Sequence, residues 1–121
     1  MALHLELGKE GERIAENFLV NKGYKLVERN YRHKRGEIDL IVRNLNNKLI
    51  FVEVKTRVNN EYPELSVHSR KQKLLFDTAL YYKEINQVED ETYFDIISIN
   101  FTSKNKYEIT HFEDIVYEFE D

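Results

Sequence analysis

The sequence predicts an α/β fold in which helices flank a mixed β-sheet, with the elements in the order αβββαββ. Two segments have apolar residues at helical spacing, one near the start of the chain and one in its middle. Further runs are rich in β-branched and aromatic residues and are bounded by polar turns. This alternation is typical of a sheet with helices packed against it.

Length and composition limit the architecture. With 121 residues, of which 41% are hydrophobic, the chain fits one globular domain over residues 1–121. It has no cysteine, which excludes disulfide bonds and cysteine-bound zinc. No apolar run approaches the roughly 20 residues of a membrane-spanning helix, and the first residues lack the order of a signal peptide. We therefore expect a cytoplasmic protein with no membrane partner.

The first half of the chain predicts one helix and three strands. The helix covers Lys9 to Lys22, and Gly23 follows it as a C-cap. A strand over 25–31 leads into a basic turn. Two strong strands, over 37–43 and 48–56, then flank a polar turn, so a hairpin is the natural inference.

The second half predicts a loop, a helix and two strands. Residues 58–68 contain the only proline and have no periodic pattern, which favours a loop. A helix is predicted from Ser69 to Ile85, where apolar residues return at helical spacing. Strands from Tyr93 to Phe101 and from Lys106 to Phe112 should pair with each other.

Charged residues interrupt the two strands of the predicted hairpin. Asp39 lies in the first, and Glu53 and Lys55 lie in the second. A buried carboxylate is costly unless it is paired. If the hairpin is centred on Asn46 or Asn47, Asp39 lies opposite Glu53 or Lys55; a two-residue turn centred between the two asparagines would put the two acids on opposite faces.

Converging acids at this place would favour a divalent cation. Two carboxylates about 4 Å apart repel by roughly 4 kcal/mol at an effective dielectric constant of 20, so raised carboxyl pKa values are expected. Lys55 would offset part of this repulsion, and Mg²⁺ or Mn²⁺ would offset the rest. Glu12 extends the buried stripe of the first helix toward its start; it either joins these acids or only favours the helix N-terminus.

The net charge of −4 is distributed unevenly. Residues 1–83 carry 16 basic and 11 acidic side chains, whereas residues 84–121 carry 2 and 11. Basic residues crowd before the first acidic strand and after the second. This basic surface could be merely solvated, or it could contact the phosphates of a nucleic acid.

Several motifs together resemble one family. They are Gly11-Glu12 with Ala15, Asn30, Gly36-Glu37-Ile38-Asp39-Leu40-Ile41, Phe51-Val52-Glu53-Val54-Lys55-Thr56-Arg57, Lys71 and Phe94-Asp95. In this order they resemble the UPF0102 (YraN-like) family. That family resembles the PD-(D/E)xK nuclease superfamily and, within it, the archaeal Holliday junction resolvases. Ile38 stands where the superfamily name has proline.

The resemblance implies a restriction-endonuclease-like fold and a metal-dependent endonuclease acting on branched or structured DNA. It implies that Asp39 and Glu53 bind Mg²⁺ or Mn²⁺, that Lys55 is the catalytic lysine and that Glu12 is an acid near the metal. The Val54 carbonyl completes the expected ligand set. The residues expected to contact nucleic acid are Arg32, Lys34, Arg35, Arg57 and Lys71.

Two other functions are compatible with the sequence. The chain could be a non-catalytic nucleic-acid-binding adaptor with a nuclease fold, although a pure binding module would gain affinity by losing the acids. It could also be a protein-interaction domain that uses its acidic segment from Glu84 onward. If the likeness to resolvases extends to the substrate, a twofold homodimer is expected, because cutting both strands of a junction needs two sites.

Overall fold

The computed structural model describes the backbone of residues 2–61 and 68–116 and the side chains of residues 6–61 and 71–116. Within these residues, the helices and strands follow one another in the predicted order. They are α1 (Ala2–Asn21), β1 (Lys25–His33), β2 (Gly36–Arg43), β3 (Leu49–Val58), α2 (His68–Ile85), β4 (Thr92–Ser103) and β5 (Lys106–Phe112).

The five strands form one mixed sheet in the order β1-β2-β3-β4-β5. Three neighbouring pairs are antiparallel, and β3 and β4 are parallel. A parallel pair needs a crossover connection, and α2 lies in the chain between these two strands. The predicted fold class, a mixed sheet flanked by helices in the order αβββαββ, is therefore confirmed.

Each face of the sheet has its own hydrophobic core. The residues that pack on the α1 side include Ile14, Ala15 and Leu19 of the helix with Leu40, Val52, Ile97 and Ile99 of the strands. Those on the α2 side include Leu75, Ala79 and Tyr82 with Ile38, Ile41 and Phe51. Because both faces of β2 and β3 are covered, these strands read in the sequence as nearly continuous apolar runs.

The start of α1 differs from the prediction. The helix begins at Ala2, not at Lys9. The prediction began after Gly8, but a glycine inside a helix costs only about 1 kcal/mol relative to alanine. Leu7 packs against the core on the α1 side, and this contact supports the earlier turns. The predicted loop over 58–68 lies mostly outside the described residues.

The end of α1 is as predicted. Gly23 has φ 96°, its N–H donates to the Val20 carbonyl at 2.9 Å, and the Tyr24 N–H donates to the Leu19 carbonyl at 3.0 Å. This pair of bonds is the Schellman arrangement, in which the left-handed residue is usually glycine. The C-cap prediction is confirmed.

Two other glycines allow the helices to lie close to the sheet. A Cβ atom on Gly11 of α1 would overlap the Thr56 side chain of β3. A Cβ atom on Gly36 of β2 would overlap the Thr78 side chain and approach the Leu74 carbonyl of α2. The absence of a side chain at each glycine therefore brings one helix against one strand beside the charged segments.

Gly11→Ala should lower the free energy of unfolding by about 1–3 kcal/mol, because the added methyl group overpacks the contact with Thr56. Gly8→Ala, three residues earlier in the same helix, is the matched control, since nothing lies within 4 Å of its Cβ position. It should raise the free energy of unfolding by up to about 1 kcal/mol. Urea unfolding measures the free energy of unfolding of both variants. An increase in both would contradict the close contact between Gly11 and Thr56.

Candidate functional site

The register of the β2–β3 hairpin decides which strand residues lie opposite each other. Leu40 pairs with Val52, so the hairpin is centred on Asn46. By this register Asp39 lies opposite Glu53. Asn46 is one of the two hairpin centres that were expected to bring the charged residues of the two strands together.

Asp39 lies where β2 and β3 separate. Their pairing ends at Leu40 and Val52, and β3 continues to Val58 without β2. The Val54 N–H donates to Asp39 Oδ2 at 2.7 Å, so the carboxylate takes the place of the backbone carbonyl that a continued ladder would offer. Because the N–H and C=O of one strand residue point to the same neighbour, the Val54 carbonyl also faces this gap.

Glu53 and Lys55 contribute the charged groups of β3. They are two residues apart in a strand, so their side chains point to the same face. Glu53 is only 6% exposed, and its Oε1 lies 3.3 Å from Lys55 Nζ. This ion pair holds an ammonium group beside the acids.

The environment of Asp39 raises the pKa of its carboxyl group to about 7. Burial is the main cause, and the nearby charges of Glu12 and Glu53 act in the same direction. The Val54 N–H and the Lys71 ammonium lower this pKa. Mutual repulsion of the acids was expected to raise their carboxyl pKa values; for Asp39 the direction agrees, but desolvation contributes more than repulsion.

Glu12 reaches the site from α1 and is held by β1. Asn30 Nδ2 donates to Glu12 Oε1 at 2.9 Å. Glu12 also acts on Asp39 electrostatically. Four different elements therefore contribute to this site: α1, β1, β2 and β3.

Of the basic residues predicted to contact nucleic acid, Lys71 lies near Asp39, and Arg57 lies farther along β3. Lys71, at the start of α2, is exposed and acts on Asp39 electrostatically. Arg57 lies two residues after Lys55 on β3 and is partly buried. Both lie on elements that border the gap.

The other three predicted contacts lie toward the β1–β2 turn. Arg32 Nε donates to Glu37 Oε2 at 2.8 Å. Lys34 and Arg35 are exposed in the turn itself. Arg35 is four residues before Asp39, about 13 Å along an extended strand, so the structure does not bring these turn residues to the acids.

A groove of about 600 Å³ lies between α1 and β1 and includes Glu12 and Asn30 in its lining. The basic residues that line it are Lys9, Arg13, Arg29 and Arg32. Several of these arginines pair with glutamates; Arg29, for example, forms two hydrogen bonds to Glu16, at 2.6 and 2.9 Å. A charged groove thus runs along the β1 edge of the sheet and includes Glu12 of the site.

A second polar cluster lies between β4 and β5. One possible ligand atom from each of Asp95, His111 and Glu113 lies within 4.8 Å of the others. His111 Nε2 is 2.8 Å from Asp95 Oδ2, and Lys22 Nζ is 2.9 Å from His111 Nδ1. Both ring nitrogens of His111 are therefore engaged within the protein, and Asp95 Oδ1 accepts a hydrogen bond from the Asp114 N–H at 2.9 Å.

In the part of the chain that the structure describes, this cluster is the one group of three metal-ligating side chains with so close a spacing. Glu12, Asp39 and Glu53 are not gathered as tightly. Each has a donor of its own: the Asn30 amide, a backbone N–H and the Lys55 ammonium, respectively. The predicted metal site thus rests on Asp39, Glu53 and the Val54 carbonyl, with Glu12 at its side.

Sequence reasoning gave no role to Asn30, which the structure joins to Glu12. The only signal in the sequence is the residue type, because asparagine is enriched among the few non-glycine residues with positive φ. The structure gives Asn30 a φ of 49°.

The model of the uncharacterised protein family UPF0102 matches residues 11–99. The chain belongs to this family, as its motifs indicated. A UPF0102 protein of Thermodesulfovibrio yellowstonii is 45% identical over 98 residues, covering 79% of this chain and 87% of that relative. A UPF0102 protein of Flavobacterium psychrophilum is 38% identical over 121 residues, covering 98% of this chain and 100% of that relative.

One solved structure, SfsA of Pyrococcus furiosus in complex with Ca²⁺, is 20% identical to this chain with a TM-score of 0.43. The match covers 88% of this chain and 62% of that one, so the chain spans less than two thirds of its length. None of the described helices is long and apolar enough to cross a membrane.

The raised pKa of Asp39 predicts that stability falls as pH rises. Its carboxyl group titrates near 7 in the folded chain and near 3.8 when unfolded, so between these pH values the folded state binds more protons. In metal-free buffer, the free energy of unfolding of Asp39→Asn relative to the parent should therefore increase between pH 5 and pH 8, by about 1–3 kcal/mol.

Urea unfolding at the two pH values measures this difference. Asp77→Asn, a substitution of an exposed aspartate on α2, is the control and should show no such increase. The same pH dependence in both variants would contradict the assignment of the raised pKa to Asp39.

Proposed function

We propose that this UPF0102 protein is a metal-dependent endonuclease that hydrolyses phosphodiester bonds in structured or branched DNA. It would act in the cytoplasm as a single endonuclease-like domain over residues 1–121. The observation that carries the proposal is the partly buried Asp39 carboxylate at the opening between β2 and β3, with the Glu53–Lys55 ion pair on the next strand.

The donors at the opening suit a hard divalent cation. Asp39, Glu53 and the Val54 carbonyl would bind Mg²⁺ or Mn²⁺ through oxygen, and Mg²⁺ usually needs only one or two carboxylates because it keeps several waters. When bound, such an ion supplies Lewis acidity, which polarises a phosphoryl oxygen and lowers the pKa of a bound water. The high pKa of Asp39 fits this role, since a cation would favour its ionised form.

The other charged side chains would act on the phosphate and the attacking water. Lys55 would orient that water and stabilise the negative charge that develops on the phosphoryl oxygens. Its distance of 3.3 Å from Glu53 supports this role, because the ammonium is held at the edge that carries the acids. Glu12 would bind the same ion through water, or a second ion.

Basic residues would position the nucleic acid. Lys71 and Arg57 border the opening and would contact the phosphates nearest to the cleaved bond. Arg32, Lys34 and Arg35 would contact phosphates farther along the strand. A homodimer would supply the second site that a branched substrate requires.

A non-catalytic nucleic-acid-binding adaptor is the second candidate. One observation favours it: Glu12, Asp39 and Glu53 each have a donor within the protein and do not form a tight cluster of three ligands. An adaptor would bind DNA without cutting it.

Cleavage assays separate the two candidates. The purified protein with Mn²⁺ should cut at least one of four substrates: duplex, single-stranded, flap or four-way DNA. Asp39→Asn and Glu53→Gln should each abolish cleavage, because each removes a charged metal ligand, but they should bind DNA as well as the parent or better. Asp77→Asn is the control and should cut normally. Equal cleavage by all variants would exclude this site, and binding without cleavage by the parent would favour the adaptor.

The salt dependence of binding tests the phosphate contacts. Lys71→Ala should weaken DNA binding and reduce the slope of log affinity against log salt by about 1, because one phosphate contact is lost. Lys104→Ala, an exposed lysine between β4 and β5, is the matched control and should leave the slope unchanged. Filter binding or fluorescence anisotropy measures the affinity at salt concentrations between about 50 and 200 mM, where the affinity of a phosphate-binding protein changes strongly. Equal slopes for both variants would remove Lys71 from the interface.

A further inference from the structure

We infer that Asn30 is a positioning residue: it holds the Glu12 carboxylate at the metal site without neutralising it. The inference rests on the proposed function, since it concerns the same site. It is carried by the hydrogen bond from Asn30 Nδ2 to Glu12 Oε1, 2.9 Å long, which joins β1 to α1.

The register of β1 and β2 places Asn30 beside Asp39. Arg29 pairs with Leu40 and Tyr31 with Ile38, so Asn30 lies between these pairs, opposite Asp39. Asn30 is therefore beside Asp39 of the neighbouring strand and is hydrogen-bonded to Glu12 of α1. No sequence spacing relates these three positions; the sheet brings them together.

The backbone of β1 changes direction at Asn30. Arg29 hydrogen-bonds to Glu16 of α1, whereas the Tyr31 ring packs against Tyr82 of α2, with ring centroids 5.0 Å apart. In a regular strand, residues two apart point to the same face, so the contacts of Arg29 and Tyr31 with opposite helices show that β1 is irregular between them. The irregular residue is Asn30 itself, which has a left-handed φ of 49° and whose amide bonds to Glu12 of α1.

The paired strand is irregular at the same level. Leu40 packs in the core on the α1 side, and so by alternation should Ile38, but Ile38 packs in the core on the α2 side. The change of face occurs at Asp39. At this change of face, Asp39 responds electrostatically both to Glu12 of α1 and to Lys71 of α2.

The chemistry of an amide suits this task. An ionised carboxylate can only accept hydrogen bonds, so the Asn30 NH₂ group can hold Glu12 in one orientation. A lysine or arginine at the same place would add a positive charge and compete with a cation for the carboxylate. A neutral donor fixes the geometry and leaves the negative charge for the ion, as the outer partners of metal ligands generally do.

The affinity for Mn²⁺, measured by calorimetry, tests this role without depending on cleavage. Asn30→Gly removes the donor but keeps the left-handed backbone, which glycine adopts readily. It should weaken Mn²⁺ binding about 10-fold, the usual effect of losing an outer partner. Asn47→Gly is the matched control, because Asn47 also has a left-handed φ, 61°, and lies in the β2–β3 turn. It should bind Mn²⁺ as the parent does.

A double-mutant cycle separates positioning from general stability. If Asn30 acts through Glu12, then Asn30→Gly should have no further effect on Mn²⁺ affinity in a Glu12→Gln background. A merely structural role would lower the free energy of unfolding and leave Mn²⁺ affinity unchanged in both backgrounds. Urea unfolding of each variant records that difference.

The outcomes also distinguish this inference from the proposed function. If Asp39→Asn loses Mn²⁺ binding but Asn30→Gly binds as the parent does, the inference is overturned and the metal site stands. Additive losses in the cycle would likewise overturn it. If the parent protein binds no Mn²⁺, both this inference and the proposed metal site are overturned.

Discussion

The hydrogen bond from the Val54 N–H to the Asp39 carboxylate links the fold of this protein to its candidate site. The pairing of β2 with β3 ends at Leu40–Val52, and without Asp39 the partly buried Val54 N–H beyond this pair would lose its hydrogen-bond acceptor. A buried polar group without a partner costs about 1–3 kcal/mol. The side chain that allows the sheet to open is therefore the one that lines the opening.

This arrangement places an unfavourable charge where the proposed reaction would use it. Burial raises the pKa of Asp39 to about 7, and the carboxylates of Glu12 and Glu53 add to the effect. The Val54 N–H and Lys71 oppose it only in part. Such a site lowers the stability of the metal-free protein, and a cation would restore it. Functional sites commonly carry a cost of this kind, because the geometry that suits a ligand rarely suits the empty fold.

Much of the fold follows from local patterns, whereas parts of the site do not. The strands over the two acidic motifs and the end of the first helix at Gly23 were predictable, since periodicity and capping act over a few residues. The start of α1 was not, because a distant core contact of Leu7 outweighs the glycine after it. Lys34 and Arg35 lie in the β1–β2 turn, and their predicted contact with nucleic acid stays a prediction.

The sequence alone determined the order of the elements, the family, and the strands that carry Asp39, Glu53 and Lys55, because these depend on residue type and spacing. It left open the centre of the hairpin and therefore the faces of the acids. Only the tertiary structure decided that the centre is Asn46, that β2 leaves β3 at Asp39, and that Asn30 holds Glu12. Strand register and helix docking depend on packing between distant residues, which no local pattern contains.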